Sequence, residues 1–66
     1  MRITVNGTTD DLVEKVTIKQ FLESRTLGED LVIVVVNGEV TRREDWGETW
    51  INPGDNVEIV RIVGGG

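Results

Sequence analysis

Val16-Thr17-Ile18-Lys19-Gln20-Phe21-Leu22-Glu23-Ser24-Arg25-Thr26-Leu27-Gly28 is the stretch in which the hydrophobic period of the chain becomes helical. Thr17 and Gln20 stand three apart, as in a capping box, and Val16 and Phe21 bracket them as a hydrophobic staple. Ile18, Phe21, Leu22 and Arg25 share one side, so the apolar face is Ile18, Phe21 and Leu22. Gly28 is placed to close the helix in the left-handed conformation. The spacing predicts a helix over 16–27 and no second one of its length. Everything around it reads as strand, turn or loop.

Upstream, residues 1–5 alternate, with Ile3 and Val5 on one face and Arg2 and Thr4 on the other, as in a half-buried strand. Asn6-Gly7 is a strong hairpin signal, because both central positions of a type I′ turn need positive φ. The return strand is expected over 8–14. Downstream, residues 31–36 are continuously aliphatic, the pattern of an interior strand covered on both faces. Asn37-Gly38 makes a second tight turn into a short strand at Glu39-Val40. Residues 41–49 are polar and read as an irregular loop, with Trp46 and Trp50 able to fold back onto the core. Asn52-Pro53-Gly54-Asp55 is turn chemistry and opens the final strand.

The order is therefore β-β-α-β-β with a closing strand. It predicts an α+β, β-grasp (ubiquitin-like) fold, a small mixed sheet with one helix packed across one face. The last strand is expected beside the first and parallel to it. Short antiparallel barrels of the OB or SH3 type compete, and the well-capped helix argues against them. Residues 1–66 read as a single domain ending in a flexible glycine tail at 64–66, since glycine loses the most freedom on ordering.

With 66 residues, the chain lies near the lower limit for a self-sufficient core. It has no Cys and no His, so disulfides, thiolate metal sites and the commonest general base are absent. Stability must come from apolar packing. The formal charge of −5 argues against nucleic acid, whose affinity depends on Lys and Arg at phosphates. There is no apolar stretch of membrane-spanning length and no signal-peptide pattern, so a soluble cytoplasmic protein is expected.

No catalytic set can be assembled from this sequence, and the chain reads as a non-enzyme. Ser24, the only serine, sits late in the helix, where a phosphopantetheine attachment serine would not be. Asp10-Asp11 and Glu44-Asp45 are adjacent carboxylates, expected to be solvated and to point apart rather than hold a metal. Gly64-Gly65-Gly66 lacks the following helix of a phosphate-binding loop. The unusual reactive group is the carboxylate of Gly66, on a tail thin enough to thread a narrow channel; a frayed terminus is the alternative. In the final strand, Val57 and Ile59 share one face, and then the phase breaks at Val60 and Ile62. Either a bulge resets the register, or Val60 and Ile62 point away from the helix as a docking surface. Leu31, Ile33 and Val35, or Val32, Val34 and Val36, would extend that surface.

Taken together, the chain resembles the ThiS family, the ubiquitin-like sulfur carriers of thiamine (thiazole) biosynthesis. The resemblance rests on the N-terminal strand ending in Asn6-Gly7, on Val36-Asn37-Gly38-Glu39, and on Arg43-Glu44-Asp45-Trp46. It also rests on Gly54-Asp55-x-Val57-Glu58-Ile59 and on Val63-Gly64-Gly65-Gly66. It implies that a ThiF-type adenylyltransferase uses ATP and magnesium to activate the Gly66 carboxylate, with Gly64 and Gly65 threading into the partner's active site. Sulfur from a cysteine desulfurase or rhodanese-like donor would then give a thiocarboxylate that supplies thiazole synthase (ThiG). The chain itself would bind no cofactor. The small subunit of molybdopterin synthase is a rival within the same fold. A plain β-grasp interaction module, whose glycines do nothing, is a rival from another class.

Overall fold

The computed structural model describes residues 1–25 and 31–62. β1 (Arg2–Val5) and β2 (Thr8–Asp11) form an antiparallel hairpin across the Asn6-Gly7 turn, where both residues have positive φ, as a type I′ turn requires. β2 is shorter than the expected 8–14. Its partner supplies only four residues, and pairing ends at Arg2↔Asp11 with one more bond, from Leu12 N–H to the Met1 carbonyl at 2.7 Å.

α1 (Ile18–Ser24) begins at the expected capping box. Gln20 N–H donates to Thr17 Oγ1 at 3.2 Å, and Thr17 N–H donates to Gln20 Oε1 at 2.9 Å. The helix is shorter than 16–27. Arg25 already has non-helical backbone and donates its N–H to the Leu22 carbonyl at 3.1 Å, while Ser24 Oγ donates to the Phe21 carbonyl at 2.7 Å. The expected cap at Gly28 lies outside the described residues. Ile18, Phe21 and Leu22 are all buried, as the helical period requires.

β3 (Val32–Val36) and β4 (Glu39–Thr41) form the second hairpin, again through an Asn-Gly turn with positive φ at both residues. Residues 43–48 form a 3-10 helix where an irregular loop was expected. Its cause is Trp46, whose ring is buried while Nε1–H donates to the Thr41 carbonyl at 3.0 Å. Trp50 does not fold back: its ring is half exposed, with Lys15 Nζ 5.4 Å from the ring centre. Ile51, next to it, enters the core instead.

β5 (Asn56–Arg61) completes a mixed sheet of order β2-β1-β5-β3-β4. It lies parallel to β1 (Thr4↔Asn56, Val5↔Val57) and antiparallel to β3 from Val36↔Val57 to Val32↔Arg61. This is the β-grasp arrangement. One face of the sheet meets α1 and Trp46 over Ile3, Val32, Val34 and Val57. Among the described residues, no helix is long and apolar enough to cross a membrane.

Candidate functional site

β5 runs to Arg61 against β3 with no residue out of step, and Ile62 N–H continues the ladder to the Leu31 carbonyl at 2.8 Å. The bulge is therefore absent. With side chains alternating strictly, Val57, Ile59 and Arg61 take the helix side, and Glu58, Val60 and Ile62 take the other. Val60 is 51% and Ile62 46% exposed. Both residues stand on the open face, at the end of the strand that leads into residues 63–66.

The register across the sheet settles which set from β3 joins them. Ile33 faces Val60 and Val35 faces Glu58, so the odd residues of β3 share the open face. Leu31 and Ile33 are 60% and 41% exposed, and Val40, opposite Val35, is exposed on β4. This corrects the expectation that residues 31–36 are covered on both faces. β3 is interior in the hydrogen-bonding direction only; α1 and Trp46 lie on one side, and no described element covers the other. The result is a contiguous apolar surface of Leu31, Ile33, Val35, Val40, Val60 and Ile62. Glu58 stands in its middle row. Contiguous exposed aliphatics of this kind mark interaction surfaces more often than isolated ones do.

Both Asn-Gly turns reach this strand, one from each flank. Asn37 donates its backbone N–H to the Asn56 carbonyl at 2.8 Å and accepts the Asn56 N–H on Oδ1 at 2.9 Å. Its Nδ2 donates to Asp55 Oδ1 at 3.0 Å, and Asp55 Oδ2 accepts the Asn52 N–H at 2.8 Å. Asp55 is thereby buried with its carboxylate satisfied. On the other flank, Asn6 Oδ1 accepts the Ile59 N–H at 2.7 Å. Sequence reasoning used these asparagines as turn formers and missed their grip on β5. The repeated Asn-Gly was the available signal, but nothing local names a partner 53 residues away.

The adjacent carboxylates resolve into ion pairs. Asp10 reaches Arg25 at the end of α1, and Asp11 lies 3.5 Å from Arg2 on the opposite face, so this pair does point apart. Glu44 and Asp45 instead converge on Arg42, at 3.1 and 3.4 Å, because the 3-10 helix turns them the same way. Among the described residues, no group of three or more carboxylates could hold a metal ion. Gly64, Gly65 and Gly66, the expected threading and adenylation residues, lie outside the described residues. What the described part offers is a strand, β5, whose open side belongs to an exposed apolar face.

A model of the ThiS family matches residues 3–66. Among solved structures, a crystal structure of the thiamine biosynthesis protein ThiS from Geobacter metallireducens is 33% identical, with a TM-score of 0.86 and full coverage of both chains. An NMR solution structure of a thiamine biosynthesis protein from Geobacter metallireducens is 36% identical, with a TM-score of 0.80, covering 100% of this chain and 88% of that one. No curated protein matches significantly.

Proposed function

The chain belongs to the ThiS family, and we propose that it is a sulfur carrier protein of thiamine biosynthesis whose Gly66 carboxylate is the carrying group. A carboxylate is a poor electrophile until one oxygen becomes a leaving group. A ThiF-type adenylyltransferase would supply that change, using ATP and magnesium to form the acyl adenylate and release pyrophosphate. The terminal sulfur of a persulfide donor, itself charged by a cysteine desulfurase or rhodanese-like protein, would displace AMP to give an acyl disulfide. A thiol of the donor system would then cleave its S–S bond, becoming a disulfide and releasing the terminal thiocarboxylate. Thiazole synthase (ThiG) would then take the sulfur. The chain presents the reacting group and the partners catalyse, in the cytoplasm.

The observation that carries this reading is the family match, which includes the glycine segment. The open face supports it, because a carrier needs a surface for its enzyme near the reacting end, and Val60 and Ile62 stand just before residues 63–66. We assign docking on the adenylyltransferase to Val60 and Ile62, with Gly64 and Gly65 as the segment narrow enough to enter its active site. Intact-mass spectrometry after incubation with the adenylating enzyme, ATP, magnesium and a sulfur donor is expected to show one oxygen of Gly66 replaced by sulfur. A mass change at any other residue overturns the assignment, as does a chain lacking Gly66 that still accepts sulfur.

A further inference from the structure

β1 accompanies β5 only as far as Thr4↔Asn56 and Val5↔Val57, then turns away at Asn6-Gly7. Beyond Val57, the ladder to β3 holds one edge of β5. A strand held along one edge can still twist about that ladder, so a second anchor on the other edge decides its direction. Asn6 supplies that anchor. Its backbone N–H donates to the Val57 carbonyl at 2.9 Å, and its Oδ1 accepts the Ile59 N–H at 2.7 Å. One residue thereby carries the pairing two positions further along β5 than β1 itself reaches. The left-handed backbone of Asn6, φ +49°, lets the side chain turn back toward β5 while the chain reverses; asparagine tolerates this conformation better than most residues.

We propose that Asn6 is a positioning residue for the carrier reaction: by holding Ile59, it fixes the direction in which β5 delivers residues 63–66 to the adenylating enzyme. The inference rests on the carrier reading above. Asn6→Gly removes the side-chain acceptor while glycine keeps the positive φ of the turn. Asn6→Asp keeps an acceptor oxygen and serves as the rescue.

Two measurements test it on the full chain: amide hydrogen exchange followed by NMR, and ATP–pyrophosphate exchange by a ThiF-type adenylyltransferase with the chain as varied substrate. In Asn6→Gly, the Ile59 amide is expected to exchange about tenfold faster while β3 amides keep their protection. The kcat for pyrophosphate exchange should fall about five- to tenfold, with KM changed less than about twofold, because the apolar docking face is untouched. Asn6→Asp should restore both. Wild-type kcat in Asn6→Gly overturns the inference, and so does a loss that Asn6→Asp fails to restore. A raised KM at unchanged kcat also overturns it, since that marks Asn6 as a contact residue. A wild-type chain that supports no pyrophosphate exchange refutes the carrier reading itself, and this inference with it.

Discussion

Val60 and Ile62 illustrate what two residues in a strand can disclose. Their phase break was legible because strand alternation has a period of two, and a change of face leaves a visible mark. Whether a bulge absorbed the change depended on β3, whose unbroken register puts both side chains in solvent. Val60→Asp and Ile62→Asp are therefore expected to shift folding stability by no more than about 0.5 kcal/mol, as exposed substitutions usually do. The same variants should slow adenylation at least about tenfold, because an unpaired charge at a desolvated contact costs several kcal/mol. Thermal unfolding and pyrophosphate exchange on both variants check this; an intact fold with wild-type exchange would move the docking face elsewhere. Asp55 belongs to the opposite class, buried and accepting from Asn37 and Asn52. Asp55→Ala leaves both donors without that acceptor and is expected to cost about 1–3 kcal/mol, read from the urea midpoint. An unchanged midpoint would show that water replaces the carboxylate there.

Helix α1 was the most legible element, and its legibility was local. The capping box lies within four residues, and Ile18 stands one turn before Phe21 and Leu22. Thr17→Ala should destabilise the domain by about 1 kcal/mol, and Thr17→Ser much less, because serine keeps the oxygen that accepts the Gln20 N–H. Equal losses in both variants, measured by chemical denaturation, would assign the effect to the buried Thr17 methyl instead. Residues 43–48 show the reverse case. Their polar sequence carries no helical period, and the 3-10 helix exists because burying Trp46 and satisfying its N–H set the backbone around it. β3 misled for a related reason. An all-aliphatic run signals burial on two faces only if something covers both, and the described residues contain one α-helix.

At the scale of the whole molecule, a small domain without disulfides holds a reserve of only about 5 kcal/mol. Among the described residues, the core comprises nine buried hydrophobic side chains, with Leu22 of α1 fully enclosed against the sheet. Leu22→Ala is expected to cost about 2–5 kcal/mol, most of that reserve. The melting temperature should then fall by about 10 °C or more in a scanning calorimeter; a drop of only a degree or two would mean that the core collapses onto the cavity. The sequence by itself determined the order of the strands and of α1, both Asn-Gly turns, the helix's N-terminal cap and buried face, and the resemblance to the ThiS family. These are carried by neighbours in the chain, through backbone conformations and hydrophobic periods a few residues long. Only the tertiary structure decided that β3 has an open face, that Trp46 rather than Trp50 enters the core, and that Asn6 and Asn37 grip β5. Each of these depends on partners far along the chain, and a period can state that a face is apolar without stating what will cover it.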